Sequence, residues 1–284
     1  MLNYPLLYLE HLSERDLDLI AMTAGASEER ARFRARLSER PEMLDELLAK
    51  PDLFDAVFSQ EEPEAWSRIT PFLAFGVLVH RLGRDLASDE YVPEWAGPGR
   101  RLPVFDVGPL RDFLDQGIRR FFLIELLASF TKVASGSIWV RTRRGYRRRR
   151  YSELDPVRLV EMVDHLPAAH RPAGYRRLGD VALFLSGVFP DHTARYPLAP
   201  TERESLARSA GIGSIGALAE GLGFHEAAGA GWYRRAVDDA AALMGAGPEY
   251  LRDVADRFSE ARRILNLLGD RYLHRFDAGL IQPG

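Results

Sequence analysis

The chain contains no cysteine, which excludes disulfides, thiolate zinc sites and cysteine nucleophiles. No apolar run reaches the roughly 20 residues that a membrane span needs. The longest run, from Phe121 to Phe130, contains Glu125. No N-terminal stretch combines the basic, apolar and small-residue regions of a secretory leader. These absences predict a cytoplasmic protein with no membrane partner. A length of 284 residues is enough for one large domain or two small ones.

Lysine is scarce as well, because it occurs only at Lys50 and Lys132, and nearly all positive charge is arginine. The charge is also unevenly spread. Residues 1–99 hold 10 basic and 19 acidic side chains, whereas residues 100–150 hold 13 basic and 4 acidic ones. Residues 151–284 hold 15 basic and 18 acidic side chains. This asymmetry indicates either that the two regions neutralise each other within the fold or that each faces a partner.

Most of the chain follows a helical pattern. Ser13 and Asp16 are typical of an N-cap and a first-turn acid, and Pro41 and Pro51 occupy positions where a first-turn proline is tolerated. The pattern predicts an all-α fold, a compact domain of about ten to twelve helices with one arginine-rich β-hairpin insertion. The predicted helices span 14–23, 28–39, 41–49, 52–59, 63–87, 109–134, 156–166, 172–188, 202–210, 214–223, 225–245 and 248–275.

Two features interrupt this pattern. Pro71 is expected to kink or divide the helix 63–87. The segment 88–105 is rich in proline and glycine and is predicted to be an irregular connection. One interpretation is therefore an acidic helical N-terminal region (residues 1–105) followed by a helical C-terminal region (residues 106–284) that contains the hairpin. The other is a single continuous domain.

The hairpin is predicted over 137-SIWVRTRRGYRRRRY-151, where β-branched and aromatic residues flank a glycine and seven of the ten residues from Arg141 to Arg150 are arginine. A turn at Arg144-Gly145 would pair Arg141 with Arg148. Because side chains alternate along a strand, one face would then carry all the candidate polyanion-binding residues. These are Trp139, Arg141, Arg143, Tyr146, Arg148 and Arg150.

Arginine directly opposite arginine weakens an isolated hairpin, so some negative charge is expected to offset it. A polyanion would do so, because arginine binds phosphate oxygens in a bidentate manner. A two-stranded ribbon also fits the DNA major groove, and the aromatics could stack on the bases of a single strand. Acids of the chain itself are the alternative partners. The candidates are Asp106, Asp112, Glu153 and Asp155.

Gly211, Gly213 and Gly216 match the spacing of a dinucleotide-binding loop. That loop requires a preceding strand, whereas a helix with a Thr201/Glu204 capping box is predicted here. A glycine C-cap followed by an N-cap at Ser214 is therefore the interpretation.

Glu161 and His165 share a helix face and could supply two metal ligands, but an exposed, hydrogen-bonded histidine is predicted instead. Asp180 could form an acid/base cleft with Tyr175, Asp191 and His192. Pairing of Asp180 with Arg176 or Arg177 on its own helix is the preferred alternative.

A polar stripe on the last helix is expected to face a groove or another helix. It consists of Arg262, Arg263, Asn266, Asp270 and Arg271. No catalytic residue, metal ligand or cofactor is predicted.

Two stretches, 175-YRRLGDVALFLSGVFPDH-192 and 261-ARRILNLLGDRYL-273, resemble a family of uncharacterised actinobacterial helical proteins. The resemblance includes the arginine segment through Asp155 and spans roughly the C-terminal half of the chain. No activity is established for that family, so the resemblance implies no catalytic residue.

The favoured hypothesis is a non-enzymatic regulatory or interaction protein that presents the hairpin to an acidic macromolecule. That partner could be DNA, RNA or an acidic protein surface, with nucleic acid the sharpest candidate. One alternative is an oligomerising helical scaffold in which basic and acidic regions of two subunits meet. The other is an enzyme with a carboxylate/histidine site near Asp180 and His192, drawing on Glu161 and His165.

Overall fold

The computed structural model describes residues 4–26, 30–58, 68–131, 135–142, 145–152, 154–213, 221–245 and 247–273, and it gives residues 135–142 and 145–152 by their backbone alone. The predicted all-α class is confirmed: fifteen α-helices and two short two-stranded sheets make up the regular structure of these residues. Chain contacts divide the protein into two units. The first comprises Met1–Val92, Val104–Thr131 and Arg271–Phe276, and the second comprises Pro93–Pro103, Lys132–Asp270 and Asp277–Gly284.

This division differs from a boundary near residue 105, because the helices of Val104–Thr131 group with the N-terminal residues. The reason is packing, since the helix Gly117–Ser129 lies against the helix Pro71–Ser88 and both are largely buried. The helices of the first unit are α1 (Tyr4–His11), α2 (Glu14–Thr23), α3 (Arg30–Glu39), α4 (Pro41–Leu48), α5 (Pro51–Phe58), α6 (Pro71–Ser88), α7 (Gly108–Leu114) and α8 (Gly117–Ser129).

The structure refines two predicted helices of this unit. Pro71 is the first residue of α6, with Thr70 as the N-cap, so it marks a division of the predicted helix 63–87 and not a kink, and residues 63–67 lie outside the described residues. The predicted helix 109–134 is two helices, α7 and α8, separated where Gln116 adopts an extended backbone. Arg119 and Arg120 donate to the carbonyls of Asp112 and Leu114, which satisfies acceptors that the end of α7 leaves open.

Asp16 joins the beginnings of two helices in the first unit. It is fully buried and completes a capping box with Ser13 at the start of α2. Its carboxylate also accepts the backbone N–H and the hydroxyl of Thr70, the N-cap of α6, at 3.0 and 2.9 Å. One buried carboxylate thereby fixes the position of α6 relative to α2.

We expect Asp16→Asn to lower the free energy of unfolding by about 2 kcal/mol, because an amide NH₂ would face hydrogen-bond donors in a buried site. Urea unfolding followed by circular dichroism measures the change. Asp18→Asn, at an exposed position of the same helix, is the matched control and should cost little. Equal stability of the two variants would contradict the bridging role.

The second unit is built around α10 (Arg171–Val188). This helix is buried from Leu178 to Phe184 and packs against α13 (Leu222–Met244) and α15 (Phe258–Leu268). The predicted helix 248–275 is divided into α14 (Glu249–Asp256), α15 and a π-helical turn, Gly269–Leu273, with the first break at Arg257. The helices of the second unit are α9 (Pro156–Asp164), α10 (Arg171–Val188), α11 (Pro190–Arg195), α12 (Pro200–Ser209), α13 (Leu222–Met244), α14 (Glu249–Asp256) and α15 (Phe258–Leu268).

The start of α12 also differs from the prediction. The helix begins at Pro200, and Glu202 accepts the backbone N–H of Ala199 at 2.9 Å, so Thr201 and Glu204 do not form the predicted capping box. Proline at the first position explains the earlier start, because it needs no N–H partner there. The predicted helix 214–223 lies largely outside the described residues.

The segment predicted to be irregular contains a short hairpin, β1 (Val92–Trp95) and β2 (Arg101–Val104). Gly97 and Gly99 adopt φ values of 129° and 69° in its turn, a region that glycine tolerates. Prolines are permitted in both strands because a two-stranded sheet consists of edge strands. The second hairpin pairs β3 (Ser135–Thr142) with β4 (Gly145–Ser152). None of the helices among the described residues is both long and apolar enough to cross a membrane.

Candidate functional site

The arginine-rich hairpin forms where it was predicted, but in a different register. Thr142 pairs with Gly145, so the loop consists of residues 143–144, which lie outside the described residues. The predicted turn at Arg144-Gly145 is therefore wrong, and each residue pairs with a partner two positions from the predicted one. The observed pairs include Arg141 with Tyr146, Val140 with Arg147, Trp139 with Arg148, Ile138 with Arg149 and Ser137 with Arg150.

The observed register changes the electrostatics of the ribbon. Among the pairs that the structure describes, no arginine stands directly opposite another arginine. Each arginine is paired instead with an aromatic, β-branched or serine residue. Because directly opposed like charges destabilise a sheet and aromatic pairs stabilise it, this register is the more favourable one. The expectation that Arg141 and Arg148 occupy paired positions and repel each other is therefore wrong.

A shift of two residues preserves the alternation along each strand. Trp139 is paired with Arg148 and Arg141 with Tyr146, and Arg150, which is paired with Ser137, shares their alternation along the strand. The sixth predicted member, Arg143, lies outside the described residues. Binding of a polyanion by this set stays a prediction.

One of the acids proposed as internal partners of the hairpin caps a helix. Asp155 accepts the backbone N–H groups of Val157 and Arg158 at 3.1 and 3.2 Å, as the N-cap of α9. Its other oxygen lies 3.9 Å from the Arg158 guanidinium. Asp155 thus has a structural role in its own helix. Asp106 and Asp112 are exposed, and Glu153 lies outside the described residues.

Asp180 is buried at the contact of α10 with α13. Its carboxylate accepts the hydroxyl of Tyr233 at 2.9 Å. Burial and the neighbouring Asp180 both raise the pKa of Tyr233, whereas the positive charge of Arg176 acts in the opposite direction. The hydroxyl therefore stays protonated and acts as a hydrogen-bond donor that compensates a buried carboxylate. This partner from another helix was not visible in the sequence, and the pairing of Asp180 with Arg176 or Arg177 stays a prediction.

Asp191 anchors the β1–β2 hairpin. It accepts the indole N–H of Trp95 at 2.5 Å and the backbone N–H of Gly99 at 3.2 Å. Burial alone would raise the pKa of Asp191, but these hydrogen bonds and the charge of Arg101 outweigh it, so the pKa lies below its usual value. The neighbouring His192 is exposed and its ring lies 4.8 Å from that of Tyr196.

The polar stripe of residues 262–271 contacts other elements, in line with the expectation that it faces a groove or another helix. Its four charged members all form ion pairs, and Asn266 lies 3.4 Å from the carbonyl of Gly187. Burial of these side chains is compatible with charge because each has a carboxylate or guanidinium partner. The pairs are Arg262 with Glu226, Arg263 with Glu94, Asp270 with Arg101, and Arg271 with Asp89.

The weaker sequence motifs lie at helix ends. Gly211 has a φ of 75° and follows Ala210, the C-cap of α12, and the N–H of Ile212 bonds the Ala207 carbonyl, as in a glycine C-cap, whereas Ser214 and Gly216 lie outside the described residues. Glu161 forms an ion pair with Arg158 at 2.9 Å. His165 lies at the C-cap of α9 and is exposed. No group of three potential metal ligands occurs within the described ranges.

The first unit contains a cluster of charged side chains that no pattern in the sequence predicted. His80 lies between the carbonyl of Gly76 at 2.8 Å and the carboxylate of Asp45 at 3.0 Å, and Arg120 also binds Asp45. Burial would raise the pKa of Asp45, but the hydrogen bond from His80 and the charge of Arg120 outweigh it and lower the pKa. The cluster joins α4, α6 and α8 and has no adjoining nucleophile, so we interpret it as structural.

No protein-family model, no curated protein and no solved structure matches this chain. The resemblance of the C-terminal half to an actinobacterial family therefore stays a prediction. The function must be argued from charge, register and side-chain geometry.

Proposed function

We propose that the protein is a non-enzymatic interaction protein that binds nucleic acid through the β3–β4 hairpin. The observation that carries the proposal is the register of this ribbon. It brings arginine and aromatic residues to directly paired positions, as in Trp139 with Arg148 and Arg141 with Tyr146. Arginine supplies bidentate phosphate contacts, and aromatic rings stack on bases.

The charge distribution supports the proposal. The central 51 residues, 100–150, carry 13 of the 38 basic side chains and only 4 of the 41 acidic ones. Several carboxylates elsewhere are already engaged inside the helical units: Asp45, Asp191 and Asp270 each bind a named arginine or backbone donor. A basic segment of this density is typical of an electrostatic contact with phosphates.

The residues considered for an enzymatic site support the same choice. The carboxylate of Asp180 bonds a tyrosine of the neighbouring helix, and that of Asp191 bonds an indole and a backbone amide. Each of these contacts holds two elements together. A structural role explains both acids without invoking catalysis.

The test replaces Arg141, Arg143, Arg148 and Arg150 by alanine. We expect the wild-type protein to bind an oligonucleotide of arbitrary sequence with an affinity that falls as the salt concentration rises. The slope of log affinity against log salt should reflect roughly four neutralised phosphates. The quadruple variant should bind about a hundredfold more weakly and with a shallower slope, because it lacks those contacts. Fluorescence anisotropy with labelled single-stranded and duplex DNA across a salt series measures both quantities.

A charge-matched control separates the hairpin from net charge. Arg158, Arg195, Arg234 and Arg252 are partly or largely exposed arginines of the second unit, and their replacement by alanine removes the same four charges. This control should retain most of the affinity and stay folded, since exposed ion pairs contribute little to stability. Equal weakening in both quadruple variants, or undiminished binding by the hairpin variant, would overturn the proposal.

A further inference from the structure

A second basic feature lies in the second unit, away from the hairpin sequence. It is a cleft of about 450 Å³ among α9, α10, α12 and α13. A cleft of this size falls in the range of small-molecule sites. It is lined by Val160, Asp164, Arg171, Tyr175, Ser205, Arg208, Ser209 and Arg235. Three of these eight side chains are arginine and one is acidic, so the cleft carries a positive charge.

Two contacts position Arg235 in the cleft. One Nη donates to the carbonyl of Ser209 at 2.5 Å, and the guanidinium lies 4.3 Å from the centre of the Tyr175 ring. Both contacts leave other N–H groups of the guanidinium without a partner within the described ranges. Arg171 is fixed in a similar way, because its Nε donates to the Leu166 carbonyl at 3.1 Å while its terminal nitrogens do not take part in that bond. Pre-positioned guanidinium groups lose little entropy when they bind an anion.

Tyr175 places a hydroxyl donor at the cleft. Its ring is largely buried, but its hydroxyl, which no described residue bonds, is open to water where the side chain lines the cleft. A ligand oxygen in the cleft would replace that water as its hydrogen-bond partner.

The two serines add hydroxyl donors. The Oγ of Ser209 accepts the indole N–H of Trp232 at 3.2 Å, which leaves its own proton to be donated elsewhere. Ser205 lies one helical turn earlier on α12, on the same side of the helix. Arg208 is exposed and has no side-chain partner in the described parts of the chain. It serves no visible role in stabilising the fold, and its charge is left for a ligand.

We propose that this cleft binds a small phosphate monoester. Three guanidinium groups and up to three hydroxyl donors match the charge and the acceptor count of a phosphate dianion. The volume exceeds what a phosphate group alone would fill. Asp164 at the rim provides an acceptor for a hydroxyl or amino group of the esterified portion. The ligand class is therefore a hydroxylated or amino-bearing phosphate ester.

Isothermal titration calorimetry with ribose 5-phosphate, inorganic phosphate and ribose tests the assignment. The wild-type protein should bind ribose 5-phosphate with a saturable isotherm, inorganic phosphate more weakly, and ribose not at all. Arg208→Ala should weaken ribose 5-phosphate binding about tenfold. This variant is chosen because an exposed side chain can be removed without disturbing the fold. Tyr175→Phe, which keeps the ring under Arg235, should also weaken binding.

Arg252→Ala is the matched control, because Arg252 is a partly exposed arginine of the same unit that binds Asp238 and does not line the cleft. It should bind the phosphate ester like the wild type, and so should the hairpin variant. Absence of saturable binding of both phosphate probes at about 10 mM would overturn the proposal. So would equal affinities of Arg208→Ala and Arg252→Ala. These outcomes are independent of nucleic-acid binding, because the two sites share no residue.

Discussion

Replacing Gly179 by alanine is expected to lower the free energy of unfolding by about 3 kcal/mol. Gly179 lies on α10 where this helix contacts α13. A Cβ atom added there would lie 2.3 Å from Cε1 and 2.4 Å from Cδ1 of Tyr233. Both distances are far below van der Waals contact. Relief of the clash requires the ring or one of the two helices to move.

Tyr233 cannot move at low cost. Its side chain is 0% exposed, and its hydroxyl compensates the buried carboxylate of Asp180. A displaced ring would break that hydrogen bond to a buried carboxylate. The same helix pair is close elsewhere, since a Cβ at Gly229 would lie 2.3 Å from Phe258 and 3.1 Å from the Cβ of Ala182. The gain of about 1 kcal/mol that alanine brings to a helix does not offset these losses.

Trp232 provides the measurement, because it is buried beside Tyr233 on α13 and its fluorescence reports urea unfolding of this unit. Gly83→Ala, on α6 of the first unit and followed by circular dichroism, is the contrasting control. Its Cβ would meet only a methyl group of Leu114, at 4.0 Å, so this change should stabilise the protein by up to about 1 kcal/mol.

A double-mutant cycle with Tyr233→Leu identifies the clash as the cause. If the ring is the obstacle, Gly179→Ala should cost much less in the Tyr233→Leu background. An unchanged cost in that background, or a Gly179→Ala variant as stable as the wild type, would show that the close contact is not what limits this position.

The elements of the fold that could be predicted are those with a local chemical cause. The Ser13 cap, the first-turn prolines and the Asp155 cap each act within one helical turn, so α2, α4, α5 and α9 begin within one residue of the predicted positions. The break between α7 and α8 could not be predicted in this way. It depends on side chains of α8 that donate to carbonyls of α7.

The candidate sites show the same contrast. The hairpin was predictable because β-branched residues, a glycine and the arginines are contiguous in sequence. Its register was not, because it depends on which two residues form the loop, and placing the turn at Arg144-Gly145 shifted every pair. The arginine cleft could not be predicted from the sequence, because Arg171, Arg208 and Arg235 lie on three helices that only the folded unit brings together.

Acidification from pH 7 to pH 4 is expected to remove about 3 kcal/mol of stability through His225 alone. Burial on α13 lowers the pKa of His225 from 6.5 to about 4. The unfolded chain therefore takes up a proton below pH 6.5, whereas the native chain does not until about pH 4. Because the unfolded state binds more protons in this window, stability falls as the pH falls from about 6.5 to 4 and is flat above it.

The surroundings of His225 favour the neutral ring. It is 9% exposed, and this burial disfavours the protonated ring. The carboxylates with lowered pKa values, Asp45 and Asp191, act in a lower range. Their native pKa values lie below 3.8, so their contribution is retained above that value and is lost as the pH falls through the native pKa.

His225→Leu isolates the effect, because leucine keeps most of the volume and cannot be protonated. Urea unfolding at a series of pH values from about 4.5 to 7.5 should give a much flatter stability profile for this variant than for the wild type. His170→Leu, at an exposed position, should keep the wild-type slope. A His225→Leu profile as steep as that of the wild type would place the titrating group elsewhere. Titration of the His225 ring near pH 6.5 in the proton NMR spectrum of the native protein would also place the titrating group elsewhere. An imidazole whose pKa is unshifted in the folded state cannot link folding to pH.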